Sequence, residues 1–339
     1  MKTTDFARHL TNYLSIYLPG ERNLSSHTIA SYRDTFKLLL IFCENEKGIS
    51  PEGLTLAHID DNLIRAFITW IETTRNCSVA TRNQRLAAVH AFFRYIQTDM
   101  PERLTTHQRI LAIPLKKTGK PAVSYLPIEA LEAILKQPDR HTPAGRRDLV
   151  LLTVLYDSGA RVGELTDILV RDIRLIQPAT LTLKGKGRKV RHVPLMSKTA
   201  SLLGDYLKER RLTAAHKLDH PLFFNSRNQK LTRAGVTYII NKYVKTVRRL
   251  DSTTLPNKVS PHVFRHTKAM HLLQANVNLV YIRDFLGHAS VTTSEIYARA
   301  DTQIKRLALE QAYSPAVVGD FPTWQDDKSL LVWLQRLCG

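Results

Sequence analysis

The sequence predicts a mainly α-helical protein with one small β-sheet, divided into two domains. Three observations carry that expectation. The chain has 339 residues, more than one core of ordinary size organises. Apolar residues recur with helical periodicity through the first hundred residues and again from residue 128 onward, with a proline-punctuated basic stretch between them. One segment, ATLTLKGKGRKVRHVPL (179–195), alternates as a β-hairpin does.

The first half reads as helices. MKTTDFARHLTNYL (1–14) is amphipathic from its start and lacks the apolar core of a secretory leader. SSHTIASYRDTFKLLLIFCENE (25–46) opens at a serine cap and places Ile29, Tyr32, Phe36, Leu39 and Cys43 on one face. HIDDNLIRAFITWIETT (58–74) repeats the pattern with Ile64, Phe67, Ile68 and Ile71. SVATRNQRLAAVHAFFRYIQ (78–97) turns Leu86, Val89, Phe93 and Ile96 inward. It leaves Arg82 and Arg85 outward, on a face that is either solvated or phosphate-contacting. These stripes predict a small helical bundle over residues 1–100. Pro101, Pro114 and Pro121 then interrupt a basic, extended stretch, and residues 101–125 read as an interdomain linker.

Helical patterning resumes at IEALEAILKQ (128–137) and GRRDLVLLTVLYDSGA (145–160), where Gly159 suits the left-handed turn that closes a helix. A helix opens at RVGELTDILV (161–170), and the hairpin follows, with a lysine in its turn. Further helices are expected at 233–249, 262–274, 278–286 and 292–312. Residues 126–313 thus form a second, mostly helical domain with a small sheet, and 314–339 form a tail.

Charge bounds the partner. Lys and Arg number 49 against 30 Asp and Glu, a formal net charge of +19, and such a surface attracts polyanions. Nucleic acid is favoured over an anionic membrane, because no basic helix carries a bulky aromatic insertion face and no segment is apolar enough to span a bilayer. Cys43, Cys77 and Cys338 are scattered without pairs or metal-like spacing, which suits a reducing cytoplasm.

Polar residues at element ends in the second half carry the chemistry. Arg161 follows a glycine-closed turn; Lys186 sits in the hairpin turn; His262 and Arg265 share one helical face; His288 follows Gly287; Tyr297 lies on the next helix, with Ile296, Ala300, Ile304 and Leu307 as its buried stripe. Taken singly, each has a plain structural reading: a surface salt bridge, a basic turn, a hydrogen-bonded pair, a boundary tyrosine. His262 and His266 also have the i, i+4 spacing of zinc ligands, but the glutamate of His-Glu-x-x-His and an acidic third ligand are lacking. Together the six positions point to metal-free, cofactor-free chemistry on a phosphodiester. Arginine neutralises the non-bridging oxygens with a planar fork that stays protonated, tyrosine can form a covalent phosphoester, and a lysine at a hairpin tip can protonate the departing sugar oxygen.

On these motifs the chain resembles the tyrosine recombinase family, the phage integrases and Xer-type recombinases, over nearly its whole length. The carriers are SGARVGEL (158–165), LKGKGRKVRHVPL (183–195), HVFRHTKAMHLL (262–273) and LGHASVTTSEIYARA (286–300). The resemblance implies a two-domain DNA clamp, with a helical core-binding (SAM-like) domain ahead of the catalytic one and no additional arm-binding domain. It implies Tyr297 as nucleophile, Arg161 and Arg265 gripping the scissile phosphate and Lys186 as general acid. His262 would assist proton transfer, His288 would hydrogen-bond the phosphate, and Glu164 would orient Arg161. Lys184, Arg188 and Lys189 are the neighbouring hairpin cations, and they join Arg82 and Arg85 as candidate DNA contacts. The implied partner is double-stranded DNA with paired sites, held by a homotetramer with or without a partner recombinase, in the cytoplasm at the nucleoid.

Leu330, Leu331, Trp333, Leu334 and Leu337 give the tail a short apolar face, which either packs on its own domain or docks on a neighbouring protomer. The segment after Tyr297 leans toward recombinases of mobile elements and away from chromosome-dimer resolution. A silent DNA-binding regulator would not need all six positions. A type IB topoisomerase would not need the separate bundle and tail, and an RNA-binding module would need stacking aromatics on a sheet.

Overall fold

The computed structural model describes residues 3–119, 123–185, 189–250 and 255–288, together with 290, 294, 296, 297 and 332. The chain divides into two compact units, Met1–Pro121 and Ala122–Gly339.

The first unit is helical. α1 (Asp5–Asn12) starts where the Thr4 hydroxyl accepts from the Ala7 N–H, and it runs into a π-helical segment, Tyr13–Glu21. α2 (Ser26–Lys47), α3 (Asp61–Thr73) and α4 (Val79–Ile96) are each capped by the side chain before them, Ser25, Asp60 and Ser78. Such caps satisfy amide donors that the first turn leaves open. The apolar stripes meet in a core that includes Phe36, Leu39, Ile64, Phe67, Ile71, Leu86, Val89, Phe93 and Ile96. Phe6, Tyr13, Phe36 and Phe92 form a ring cluster within it, with centroids 5.1 to 6.5 Å apart.

Two expectations fail in this unit. Residues 101–125 are not an extended linker throughout: a 3-10 turn at Pro101–Arg103 leads into α5 (Leu104–Leu111). α5 buries His107 and Ile110, one turn apart, and Ile110 and Ile113 join the core of the first unit. Arg82 does not point outward. It is only 7% exposed and donates to the Asn83 side chain and the Pro114 carbonyl, both at 3.1 Å. Half-buried Arg85 donates to the Ser31 carbonyl and the Thr35 hydroxyl. The polar stripe of α4 is thus covered by α2 and by the chain leaving α5.

The second unit opens with α6 (Ile128–Leu135) and α7 (Pro143–Ser158), the latter closed by Gly159 at φ +56°. α8 (Val162–Thr166) is shorter than the sequence pattern suggests and gives way to a 3-10 turn at Val170–Asp172. β1 (Ile173–Arg174), β2 (Thr180–Lys184) and β3 (Val190–Pro194) form an antiparallel sheet in that order, with Lys184 opposite Val190. The β2–β3 hairpin is the expected one; the two-residue β1 adds a third strand. α9 (Ser197–Glu209), which the periodicity left unassigned, precedes α10 (Arg233–Leu250), α11 (Pro261–Gln274) and α12 (Leu279–Leu286). Leu181, Leu183 and Val193 turn the inner face of the sheet into a core shared with the helices. A smaller cluster, including Met270, Ile282, Leu286 and Tyr297, lies around α11 and α12. Among the described residues, no helix is long and apolar enough to cross a membrane.

Candidate active site

Two glycine-closed turns set the site. Gly159 ends α7 just before Arg161, and Gly287 ends α12 just before His288; both take positive φ, which a side chain disfavours. A Cβ on Gly159 would also lie 2.8 Å from Leu286, so the two turns are in close approach. Arg265, on α11, joins them. It is 2% exposed and donates to the Gly159 carbonyl at 2.7 Å and to the Leu286 carbonyl at 2.6 Å. Burial, then the charges of Arg161 and Arg191, push its guanidinium down to about 10, which leaves it protonated at neutral pH.

Arg161 caps α8 and remains 37% exposed. Buried Glu164 accepts from its Nη1 at 2.7 Å and from its backbone N–H at 2.9 Å. The oxygen that takes the backbone N–H, Oε2, also accepts from Arg191 Nη2, on β3, at 2.7 Å. Burial alone would raise the Glu164 carboxyl, but the hydrogen bonds from Arg191 and Arg161 hold it below the ordinary carboxylate value. One anion thus fixes two cations, and the Arg191 Nε has no hydrogen-bond partner among the described residues.

Tyr297 closes the cluster. Its ring is 1% exposed and its hydroxyl lies 3.0 Å from Nδ1 of His266, one turn after His262 on α11. Burial raises the phenol, while Arg265 and Arg161 oppose that rise. The His288 ring lies at 17° to the phenol ring, with centroids 6.3 Å apart, and its Nδ1 is 2.9 Å from the Ser294 hydroxyl. Burial pushes both His266 and His288 down to about 4, helped in each case by neighbouring Arg265. His262 keeps part of its ring exposed, its ring centroid is 5.3 Å from that of His266, and burial of the rest, then Arg265 and Arg161, lowers it too. The expected buried stripe needs correction here: Ile296 is 37% exposed, and the buried neighbours on that turn are Ser294 and Tyr297. Ala300, Ile304 and Leu307 lie outside the described residues.

A cavity of about 360 Å³ opens beside these groups, lined by Arg161, Lys189, Arg191 and His288 among others. Three cations and the neutral His288 imidazole on its wall, against the one carboxylate of Asp284, suit a phosphate group. Lys184, at the end of β2, pairs with buried Asp172 at 3.1 Å. Lys186 and Arg188 lie outside the described residues, as does the tail apart from Val332. Among the described residues no group of three or more His, Cys, Asp or Glu is placed to hold a metal.

Sequence reasoning missed Arg191 and passed over His266. The signal for Arg191 was present: strand alternation puts it on the same face as buried Val193, an unusual place for a lone cation. His266 stood out only for its spacing from His262, whereas its contact is to a residue 31 positions later.

A helical chain whose second unit gathers arginines, histidines and a buried tyrosine around a cation-lined cavity has the makings of a phosphodiester-exchange enzyme. The comparisons give the class. The phage integrase family matches residues 124–303, and the N-terminal SAM-like domain of phage integrases matches residues 10–98. The chain belongs to this family, the tyrosine recombinases, and is a site-specific recombinase. Among particular relatives, it is 37% identical to the presumptive integrase/recombinase y4rC of Sinorhizobium fredii over 337 residues, 99% of each chain. It is 32% identical to the tyrosine recombinase XerC of Pelobacter propionicus, covering 89% of this chain and 92% of that one. A XerH recombinase bound to a palindromic difH substrate, in a post-cleavage complex, has TM-score 0.66 at 25% identity over 86% of this chain and 82% of that one. The Tn1549 transposon integrase shares the fold, with TM-score 0.68 at 17% identity over 90% of this chain and 99% of that one.

Proposed function

We propose that this recombinase cuts and rejoins double-stranded DNA through a 3′-phosphotyrosyl intermediate on Tyr297. The observation that carries the reading is the Arg265 bridge, which brings the turns before Arg161 and His288 to one cavity, with the Tyr297 ring stacked on His288. Arg161 and Arg265 grip the non-bridging oxygens, Glu164 orients Arg161, and His288 hydrogen-bonds the phosphate. Lys186 protonates the departing 5′ oxygen, and His262 assists proton transfer. Lys184, Arg188 and Lys189 line the hairpin's approach to the duplex. No cofactor is required, because the tyrosyl ester stores the energy of the broken bond. The helical unit, over roughly residues 1–100, serves as the core-binding half of a clamp, and the tail docks on a neighbouring protomer. Four protomers hold two sites, and a second exchange resolves a Holliday junction.

The biological role we infer is integration, excision or transposition of a mobile element, in the cytoplasm. The near full-length likeness to an integrase/recombinase favours it. Likeness to XerC supports the second reading, resolution of chromosome dimers, with or without a partner recombinase. Mapping covalent protein–DNA junctions on the ends of the element that carries the gene separates the two: junctions at those ends support the first, and junctions only at a chromosomal site support the second. Tyr297→Phe abolishes adducts on a nicked suicide duplex if the nucleophile is right.

A further inference from the structure

We propose that His266 is the catalytic base for Tyr297, taking the phenolic proton as the tyrosyl ester forms and returning it when the strand is rejoined. The proposal rests on the reading of Tyr297 as nucleophile. In cleavage, the bond from Tyr297 Oη to phosphorus forms and the bond from phosphorus to the 5′ oxygen breaks. The phenolic proton passes to His266 Nδ1, and the 5′ oxygen receives its own proton from Lys186. Rejoining runs the same transfers backward, so the imidazolium is neutralised within each cycle.

Geometry selects His266 among the three histidines. Its Nδ1 is 3.0 Å from the tyrosine hydroxyl, within the range a general base needs. His288 lies nearly parallel to the phenol ring, and its Nδ1 is engaged with Ser294. His262 is exposed and stands beside His266, 5.3 Å between ring centroids.

The electrostatics make the base responsive to substrate. His266 neighbours His262 and Arg265 on its own helix, and His288 and Tyr297 from the following segment; the charges of Arg161 and Arg191 act on His288 and Arg265. Burial, then His262 and Arg265, keep the imidazole neutral, so Nδ1 accepts when the ring proton is on Nε2. A phosphodiester held by Arg265 offsets that charge, and the imidazole becomes more basic when substrate is bound.

The test measures single-turnover adduct formation on the nicked duplex carrying the mapped junction, from about pH 6 to about pH 9, for wild type, His266→Asn, His266→Phe, Lys186→Ala and Tyr297→Phe. DNA affinity and thermal unfolding are measured on each variant. Both His266 variants should cut about a hundredfold more slowly near neutral pH. The deficit should narrow as pH rises and solvent base takes over. A duplex with sulfur in place of the 5′ bridging oxygen needs no leaving-group proton; it should rescue Lys186→Ala and leave His266→Asn slow. Wild-type rates in His266→Asn, a deficit independent of pH, or rescue by the bridging sulfur would each overturn the proposal. Adducts from Tyr297→Phe would instead sink the underlying reading, whatever the His266 variants do.

Discussion

The two units of this recombinase use buried arginine for different ends. In the helical unit, Arg82 gives its hydrogen bonds to Asn83 and to the Pro114 carbonyl, with Glu72 3.9 Å away, and Arg85 gives its own to Ser31 and Thr35. Those cations tie helices together and are screened by their partners. In the second unit, Arg161 and Arg191 are also tied, but on the wall of a cavity, and their charge adds to burial in depressing His288 and the neighbouring Arg265. Residue type and net charge cannot tell these uses apart. The distinguishing quantity is whether positive charge is left facing an opening once internal partners are satisfied.

The comparison breaks most easily at the arginines. Arg161→Ala or Arg265→Ala should slow adduct formation about a hundred- to a thousandfold in single-turnover assays, with DNA binding largely kept, as loss of one positioned charge donor does. Arg82→Met should leave the cleavage rate of folded molecules unchanged. Glu164→Gln removes the anion shared by Arg161 and Arg191, and breaking a buried pair this way typically costs about 3 kcal/mol, seen as a lower urea midpoint for the second unit. Arg82→Met should cost its own unit less, about 1–2 kcal/mol, because the Pro114 carbonyl loses one charged donor.

Acid gives a smaller, graded effect. His266 and His288 have folded-state values of about 4, below the unfolded value of about 6.5, so the unfolded chain binds the extra protons as pH falls. Their contribution is complete above about pH 6.5 and is lost progressively toward pH 4. Glu164, also held low, adds to the loss below the unfolded carboxylate value near 4.3. Urea midpoints at neutral and mildly acidic pH should therefore fall for the second unit, and His266→Phe should flatten that slope.

Much of this was legible beforehand, for reasons tied to particular residues. Gly159 and Gly287 marked helix ends because left-handed backbone favours glycine, and the alternation around Leu181, Leu183 and Val193 marked the hairpin. α5 was hidden because Pro101 and Pro114 bracket a helix of only two turns, whose inward residues include a histidine. Arg82 was misread because a polar stripe looks the same whether water or another segment covers it. The contact of His266 with Tyr297 depends on how α11 meets the segment after α12, which local pattern does not encode.

The Arg265 bridge has an architectural consequence. One fork spans two helix ends that sequence keeps far apart, so the width of a guanidinium helps set the spacing between them. A lysine there, with a single point of attachment, could hold one end or the other, and the gap itself would lose its ruler.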